Sequence, residues 1–541
     1  MSHQVKTEPS IQLDLIPIRR ALISVYDKTG LEMLARTLAS RGVEIISTGG
    51  TEKFLRGLGI PVLGITEVTH SPEIFDGRLK TLHPIVHGGL LYRRDLASHA
   101  EEAQANGIAA IDLLIGNLYP FEETVAKPGV TEQEIIEQID IGGPAMLRSA
   151  AKNFAAVTLL TAPDQYERFL QTFEANDGST NLALRRDLAR EAFEHVAQYD
   201  RAIADYFNRT FQNGHGKQEE SLNLSLPRIS SLRYGENPHQ DAALYGTEFS
   251  NICAQLWGKE LSYNNILDIS AALGLIAEFL PSDPAKPVAA IIKHTNPCGV
   301  AEGANGLDAF DRAFTTDPES PFGGIIILNT EIDAILAGRL NEFFSEVVLA
   351  PSYQADALEL LKKKKDRRLL TFNTDRLKIA ISTTPELRSV VGGILRQTPD
   401  IDLVSNSEFK SVTSHPASPS DRHALTFALK IVKHLKSNAI AFCGMDGNFA
   451  RTLGLGAGQT SRVEASRIAV EHARLHGLSL KGSFVASDAF YPFADGLIAA
   501  AEAGAKAIIE PGGSVRDAEV IQAAEERGVA LIMTGMRHFH H

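Results

Sequence analysis

The stretch RALISVYDKTGLEMLARTLASRGVEIISTGGT, residues 20–51, decides the fold class of the first part of the chain. It places two short apolar runs, RALISVY and VEIIST, on either side of the amphipathic segment LEMLARTLASRG. Apolar runs joined by a segment of helical periodicity are typical of parallel strands connected by a helix. The alternation continues through TEKFLRGLG, IDLLIGNLY and AAVTLLT, so we predict an α/β domain with a mainly parallel sheet.

The rest of the chain repeats this alternation after a break. Residues 162–211 have a helical pattern, and the polar, glycine-containing residues 212–225 are typical of a linker. Strand-like runs from AAIIKH to VALIMTG then predict a second large domain, in which AAIIKHTNPCG and GSFVASDAFYPF indicate two similar subdomains. The predicted organisation is an N-terminal extension at 1–18, a first domain at 19–211, the linker, and a second domain at 226–541.

The composition excludes several classes of protein. A chain of 541 residues with 44% hydrophobic and 22% charged residues can form two globular domains. Its net charge of -13 argues against general nucleic-acid or anionic-membrane binding. Three scattered cysteines, with no signal-peptide pattern and no apolar run of membrane-spanning length, predict a reducing, cytoplasmic location. The basic run KKKKDRR at residues 362–368 is interpreted as a solvated turn.

Polar clusters follow strand patterns in the first domain, where open α/β sheets bind ligands. SVYDKTG, which includes Lys28, and STGGT precede helical segments and could hold a phosphate, although either alone could be a plain helix cap. DGRLKTLHP supplies cations, NLYPF supplies Tyr119, and DIGGPAMLRSAAKN supplies Asp140 and Lys152. A tyrosine at a strand end is about as often a core residue as a functional one. Together these groups, without a thiol or metal cluster, indicate proton transfer on a phosphorylated substrate.

The second domain has polar clusters of its own. SLRYGENPHQ holds Arg233 and Tyr234 in a turn-rich segment, and KHTNPCG puts Lys293 and His294 directly after a buried strand. A lysine beside a histidine can supply a fixed charge and a proton carrier for acyl transfer, although an isolated histidine is often a core residue. The glycines of SPFGG allow close approach of the backbone to a ligand, and GAGQTSR supplies Arg462. SDAFYPF supplies aromatic faces that could stack on a heterocycle, although such aromatic residues commonly pack in a core.

In this order the motifs closely resemble the bifunctional purine-biosynthesis family that joins an AICAR transformylase to an IMP cyclohydrolase. SVYDKTG, STGGT, GRLKTLHP, NLYPF and DIGG...AAKN match the cyclohydrolase half, and RYGENPHQ, KHTNPCG, FGG, GAGQTSR and SDAFYPF match the transformylase half. The resemblance implies a methylglyoxal-synthase-like first domain with a parallel sheet, followed by a transformylase domain of two cytidine-deaminase-like α/β subdomains. It also implies a homodimer with transformylase sites at the interface.

The implied activity of the second domain is formyl transfer from 10-formyltetrahydrofolate to AICAR, which gives FAICAR. Lys293 would stabilise the developing oxyanion, and His294 would carry protons. The resemblance implies ligand contacts at Arg233, Tyr234, Gly323, Glu346, Asn438, Arg462, Phe490, Asp495, Ser514 and Arg537.

The implied activity of the first domain is dehydrative ring closure of FAICAR to IMP. Tyr119 and Lys152 would manage protons, while Lys80 and Asp140 would stabilise the addition intermediate. The resemblance implies further contacts with the nucleotide at Lys28, Thr48, Gly49, Gly50, Thr51, Arg78, Thr81 and Asn117.

The sequence departs from the family pattern at a few positions. Tyr26 stands where many members have serine, Phe154 ends an AKNF segment that is commonly AKNH, and Glu346 stands where some members have aspartate. Zinc deaminases of related fold need a PCxxC segment, but Cys298 is followed by Gly-Val-Ala, so we expect no catalytic metal. The resemblance leaves room for a structural monovalent cation.

Two other functions fit parts of the sequence. The first is a single-activity enzyme in which one half is a scaffold or a nucleotide-binding regulatory module, which the intact motifs in both halves disfavour. The second is a structural or RNA-binding protein, which the acidic composition disfavours.

Overall fold

The computed structural model describes residues 14–75, 79–211, 222–224, 226–246, 248–280, 286–405 and 409–541. The chain divides into two compact units, Met1–Ser225 and Leu226–His541. The predicted linker falls at this division, but residues 212–221 and 225 lie outside the described residues. Among the described helices, none combines the length and the apolar character that a membrane-spanning segment needs.

The first unit alternates short strands and helices, as predicted. Its strands are β1 (Leu15–Pro17), β2 (Arg20–Ser24), β3 (Glu44–Ser47), β4 (Leu63–Gly64), β5 (Leu113–Gly116), β6 (Thr158–Leu160) and β7 (Ser179–Asn181). Its helices are α1 (Leu31–Ser40), α2 (Gly49–Gly57), α3 (Ile65–Thr69), α4 (Pro84–Leu91), α5 (Ala97–Ala105), α6 (Phe121–Val125), α7 (Glu132–Glu137), α8 (Gly142–Lys152), α9 (Gln165–Ala175) and α10 (Leu182–Phe211).

A parallel sheet forms the centre of the first unit. In its described part, five strands lie in the order β4-β3-β2-β5-β6, and each neighbouring pair is parallel. Side chains of the central strand β2 alternate between two hydrophobic cores, because Ala21 and Ile23 face one side and Leu22 the other. Since the strands run in one direction, the loops after β2, β3 and β5 meet at a single edge.

The basic run differs from its prediction, and the N-terminal residues are described only in part. Of the predicted extension, residues 1–13 lie outside the described residues, and β1 pairs antiparallel with β7 of the first unit. The basic run forms a turn only up to residue 366. Arg367 is fully buried and donates hydrogen bonds to the carbonyls of Leu340 and Phe343, so the predicted solvated turn was wrong for the end of this run.

The second unit is larger and mixes parallel and antiparallel strands. Its strands are β8 (Arg228–Leu232), β9 (Ala242–Tyr245), β10 (Cys253–Trp257), β11 (Val288–Lys293), β12 (Asn296–Glu302), β13 (Ile325–Leu328), β14 (Val347–Ala350), β15 (Arg368–Phe372), β16 (Glu386–Val390), β17 (Gly393–Gln397), β18 (Lys410–Ser411), β19 (Ile440–Asp446), β20 (Phe449–Gly456), β21 (Ser483–Ser487), β22 (Ala505–Glu510) and β23 (Ala530–Met533). Its helices are α11 (Glu248–Ile252), α12 (Tyr263–Ala277), α13 (Gly306–Phe314), α14 (Ala334–Leu340), α15 (Ala355–Leu361), α16 (Thr374–Thr383), α17 (Pro419–Lys433), α18 (Arg462–Leu475), α19 (Asp495–Glu502) and α20 (Asp517–Glu526).

The main sheet of the second unit is built from two equivalent halves. Over the described residues its twelve strands lie in the order β10-β15-β14-β13-β11-β12-β20-β19-β21-β22-β23-β18. Reading outward from the centre, both halves pair antiparallel, antiparallel, parallel, parallel and antiparallel. The two halves join antiparallel through β12 and β20. This repeat confirms the two similar subdomains predicted from the sequence.

The antiparallel junction brings different strand ends of the two halves to one side of the sheet. We call the side at which β11 ends the Lys293 edge. From the pairing directions, β20, β21, β22 and β23 also end there, whereas β13, β14, β15 and β19 begin there. Loops far apart in the sequence are therefore neighbours along this edge.

Candidate functional sites

The first unit has a cavity at the carboxyl ends of β2, β3 and β5. Its volume is about 250 Å³. It is lined by Ser24, Val25, Tyr26, Lys28, Thr48, Gly50, Thr51, Lys80, Thr81, Leu114, Gly116, Asn117, Leu118, Tyr119, Asp140, Gly143, Met146 and Leu147. Most of the residues predicted for the first site therefore line one cavity, because parallel strands deliver their carboxyl ends to the same edge.

One end of this cavity is suited to a phosphate. Helix α2 begins directly after Thr48, and Gly49 adopts a left-handed φ of 47°, which glycine reaches without strain. The Thr51 hydroxyl donates to the Val25 carbonyl at 2.9 Å and accepts from the Val25 N–H at 3.1 Å, which ties the helix start to the end of β2. The Lys80 ammonium lies 3.5 Å from where a Cβ on Gly49 would stand. A helix N-terminus beside a lysine binds anions favourably.

Asp140 and Tyr119 form the other end of the cavity. The Asp140 carboxylate accepts a hydrogen bond from the Gly143 N–H at 2.9 Å, at the start of α8. Burial raises the pKa of Asp140, and the two backbone N–H groups of α8 together with the charge of Lys80 oppose that rise. Burial, and then the charge of Asp140, raise the pKa of the Tyr119 phenol. A phenol with a raised pKa keeps its proton at neutral pH and can donate it.

Tyr199 supports Asp140, and the sequence reasoning missed it. The Asp140 N–H donates to the Tyr199 hydroxyl at 2.7 Å, and that hydroxyl donates to the Gln138 carbonyl at 3.1 Å. Tyr199 lies on the buried face of the long helix α10. A tyrosine within an apolar helical face was the available signal, but its partner is 59 positions away in the chain.

Asn117 contacts the protein backbone as well as the cavity. Its Oδ1 accepts hydrogen bonds from the Tyr26 N–H at 2.6 Å and the Asp27 N–H at 3.1 Å. Its Nδ2 donates to the Asp27 carbonyl at 2.9 Å. Both functions of the amide therefore hold the turn after β2 against the loop after β5.

Of the predicted residues that the structure describes, Gly49 and Lys152 do not line the cavity of the first unit. Gly49 lies beside it without contributing to its wall. Arg78 lies outside the described residues. Lys152 is exposed at the end of α8, about 13 Å beyond Gly143 at the usual helical rise of about 1.5 Å per residue. The described chain thus brings Tyr119, Lys80 and Asp140 together but leaves Lys152 apart.

In the second unit, Lys293 ends β11, and His294 and Thr295 form the turn that leads into β12. His294 and Thr295 have positive φ values of 53° and 64°, which for side chains of this kind costs about 1–3 kcal/mol each. The Asp268 carboxylate accepts from the Thr295 N–H at 2.6 Å and so holds this strained turn. Lys293 Nζ donates to the Phe322 carbonyl at 3.0 Å, next to Gly323. Asp268, on α12, was missed by the sequence reasoning, although a carboxylate within an apolar helix is unusual.

Glu346 and Arg233 lie near the starts of β14 and β15. Glu346 accepts a hydrogen bond from Asn265 Nδ2 at 2.8 Å and forms an ion pair with Arg368 at 3.8 Å. Burial lowers the pKa of Arg368, and the charge of Glu346 opposes that shift. The charge of Arg233 lowers the pKa further, which requires Arg233 to lie near this pair. The Arg233 guanidinium lies 5.1 Å from the Tyr234 ring centre.

The second half of the sheet places Arg462 on the same edge. Arg462 forms an ion pair with the fully buried Asp488 at 3.1 Å and donates to the Ala489 carbonyl at 3.2 Å. The guanidinium groups of Arg462 and Arg537 lie 5.8 Å and 4.6 Å from the Phe539 ring centre.

The remaining predicted residues occupy neighbouring loops. The Asn438 side chain donates to the Gln459 carbonyl at 2.9 Å, and the Ser514 N–H donates to Asp517 at 2.9 Å. Phe490 lies between β21 and α19, and Asp495 is the first residue of α19. The Lys436 N–H donates to Asn296 Oδ1 at 3.2 Å, which connects the Arg462 side of the edge to the Lys293 turn.

These features define a class of protein. The first unit has a parallel sheet whose carboxyl edge carries a carboxylate, a phenol and a helix start suited to phosphate. The second is a duplicated unit with a strained turn after Lys293. Together they define a two-domain α/β enzyme that acts on small phosphorylated metabolites.

Comparison with known proteins identifies the family. Residues 150–472 match the family described as AICARFT/IMPCHase bienzyme, and residues 30–145 match the MGS-like domain. A "Bifunctional purine biosynthesis protein PurH" from Chloroflexus aurantiacus is 51% identical over 522 residues, which cover 96% of this chain and 98% of that protein. A protein of the same name from Chlorobium chlorochromatii is 49% identical over 531 residues, 97% of this chain and 99% of that protein.

The chain belongs to the AICARFT/IMPCHase bienzyme family and is an AICAR formyltransferase and IMP cyclohydrolase, with a folate co-substrate. The matches confirm the predicted methylglyoxal-synthase-like first domain and the transformylase domain that follows it. They support the predicted two activities and not the alternative in which one half is inactive.

Proposed function

We propose that the cavity of the first unit closes the purine ring and that the Lys293 edge of the second unit transfers the formyl group. The two reactions are the last two steps of IMP synthesis. The observation that carries the division is the grouping of Asp140, Lys80 and Tyr119 in one cavity whose other end suits a nucleotide phosphate. The proposed domains are 19–211 for ring closure and 226–541 for formyl transfer, joined by 212–225.

In ring closure, the carboxamide nitrogen of FAICAR attacks the formyl carbon, and the formyl oxygen becomes a hydroxyl that leaves as water. Tyr119 suits the role of proton donor to that oxygen, since burial and Asp140 keep its phenol protonated. Asp140 would accept a hydrogen bond from the attacking nitrogen, and Lys80 would stabilise negative charge on the oxygen. The helix start at Thr48, with Gly50, Thr51 and Lys28, would hold the phosphate.

In formyl transfer, the 5-amino group of AICAR attacks the formyl carbon of 10-formyltetrahydrofolate, and the bond from that carbon to N10 breaks. Lys293 would polarise the formyl oxygen, and His294 would carry the amine proton to N10. His294 is exposed at a strained turn, which supports a functional role for its conformation.

The predicted contacts along the Lys293 edge divide between the two ligands of the transfer. We assign those near β8 and β13–β15, together with Phe490 and the C-terminal Arg537, to AICAR, and the others around Arg462 to folate. The AICAR set is Arg233, Tyr234, Gly323, Glu346, Phe490 and Arg537. The folate set is Asn438, Arg462, Asp495 and Ser514.

Coupling of the two reactions explains why one chain carries both. The AICAR amine is conjugated with its ring and is a weak nucleophile, so formyl transfer alone should lie close to equilibrium. Ring closure consumes FAICAR and pulls the transfer forward.

A homodimer is supported by an exposed apolar hairpin. Every residue of β16 and β17 is exposed, and Leu387, Val391 and Leu395 are among the exposed apolar residues of the hairpin. Exposed apolar surface of this kind is typical of an interface. Arg388, in the middle of β16, donates to the His541 carbonyl at 2.6 Å, beside the Lys293 edge, so a second copy bound here would lie near the transformylase site.

A structural monovalent cation and a cytoplasmic location complete the proposal. Asp488 is fully buried, and its Oδ2 has no hydrogen-bond partner within the described residues. A bound cation would satisfy that oxygen. Three free cysteines, two of them buried, suit a reducing compartment.

Two single substitutions in the full chain test the division of labour. His294→Ala should abolish formylation of AICAR while leaving conversion of supplied FAICAR to IMP unchanged. Asp140→Asn should do the reverse, because it removes the carboxylate from the first cavity alone. Each product is identified chromatographically, and loss of both activities in either folded variant contradicts the assignment.

A further inference from the structure

Tyr26 is an exposed aromatic residue at the cavity of the first unit. It follows β2, and the residue is about half exposed, at 52%. Its ring meets the ring of Tyr119 edge-on, with centres 5.7 Å apart and planes at 67°. Both rings line the cavity. An edge-on pair of this geometry is attractive beyond simple burial of area.

Tyr119 depends on packing for its position. In the described part of the chain its hydroxyl has no hydrogen-bond partner, and the residue is 42% exposed. The ring contact with Tyr26 is therefore a main restraint on the direction of its phenol. Without that contact the phenol could turn away from Asp140 into water.

The backbone of Tyr26 is itself held firmly. Asn117 accepts the N–H groups of Tyr26 and Asp27 and donates to the Asp27 carbonyl, as described above. Thr51 bonds both polar backbone groups of Val25. None of these bonds uses the side chain of Tyr26. Replacement of that side chain should therefore leave the turn in place and remove the ring contact alone.

We propose that Tyr26 is a positioning residue for ring closure, whose ring holds the Tyr119 phenol toward Asp140 and excludes water from it. The proposal rests on the role of Tyr119 as proton donor proposed above.

The first test compares Tyr26→Ser with Tyr26→Phe as a matched control that keeps the ring. Aromatic pairs contribute about 0.5–1.5 kcal/mol, so Tyr26→Ser should lower kcat for conversion of FAICAR to IMP about 2- to 12-fold, with KM nearly unchanged. Tyr26→Phe should retain most of the activity. A loss in Tyr26→Phe equal to that in Tyr26→Ser would overturn the proposal, since the ring would not be the active part.

A double-mutant cycle separates this proposal from the role of Tyr119. Tyr119→Phe should lower kcat, and adding Tyr26→Ser to it should cause no further loss. If Tyr119→Phe has no effect, the proton-donor role fails. If Tyr119→Phe is impaired but Tyr26→Ser is normal, or if the two losses multiply, the positioning role fails while the proton-donor role stands.

Formyl transfer by the same preparations reports whether each variant is folded. Should Tyr26→Ser fail to fold, Tyr26→Leu, which keeps apolar bulk without a ring, takes its place with the same expectation. The pH profile of kcat adds a second readout, because greater exposure of Tyr119 should move its raised pKa back toward the ordinary value. An unchanged profile in a variant with lowered kcat would contradict the inference.

Discussion

Gly143→Ala should disable ring closure through one displaced carboxylate. A Cβ on Gly143 would overlap Asp140 Oδ2 and stand 2.8 Å from Leu118 Cδ2, closer than real Cβ atoms approach. The Asp140 side chain would have to move, and its 2.9 Å hydrogen bond from the Gly143 N–H would break. Alanine suits a helix better than glycine does, so the backbone conformation is not the obstacle.

The size of the effect follows from the bond that breaks. A hydrogen bond to a charged group contributes about 1.5–3 kcal/mol, so kcat/KM for FAICAR should fall about 10- to 150-fold. The assay follows IMP formation from supplied FAICAR, and formyl transfer by the same protein should be unchanged.

Gly57→Ala is the matched control for this substitution. Gly57 ends α2 in the same unit and is exposed, and a Cβ added to it would meet no atom within 4 Å, so its replacement should leave ring closure unchanged. Full activity of Gly143→Ala would refute the reasoning, because Asp140 would then have no part in ring closure at its observed position.

Two further predictions concern pH and stability. Glu510 is fully buried, and burial raises its pKa to about 7, so its favourable contribution is complete below about pH 4.5 and is lost as the pH rises through 7. Glu510→Gln should therefore raise the free energy of unfolding at pH 8 by up to roughly 3 kcal/mol, and with it the melting temperature, but change both little at pH 4.5. An equal shift in melting temperature at both pH values would contradict this. For Glu278, burial alone would raise the pKa, but hydrogen bonds from His434 and Lys433 outweigh it and lower the pKa to about 2. Its stabilisation is therefore present above about pH 4.5 and lost as the pH falls through 2, and Glu278→Gln should cost roughly 3 kcal/mol at pH 7 but little at pH 2, as thermal unfolding at the two pH values would show.

Local patterns in the sequence predicted most of the fold correctly. The segment LEMLARTLAS is helix α1, with Leu31, Leu34, Ala35 and Leu38 buried at helical spacing. The run IDLLIG contains the buried strand β5. Both patterns arise from the repeat of a single element against a core, so they can be read without knowing what the element packs against.

The site was predicted unevenly, because motifs name residues but do not orient them. The structure brings Tyr119 of NLYPF and Asp140 of DIGG to one cavity, since parallel strands end at one edge. Lys152 shares a motif with Asp140, yet the length of α8 carries it away from the cavity. Arg367 belongs to a basic run that was predicted to be a solvated turn, but it is buried and donates hydrogen bonds to carbonyl groups of a neighbouring segment.

The sequence by itself determined the elements, their order, the two-unit organisation and the motifs that identify the family. Only the tertiary structure decided which strand ends meet at the Lys293 edge. Strands of one half begin there and strands of the other half end there, because β12 and β20 pair antiparallel where the two halves join. Likewise, only the structure paired Tyr26 with Tyr119 and Asp140 with Tyr199. Such contacts join residues far apart in the chain, and periodicity, which is local, carries no information about them.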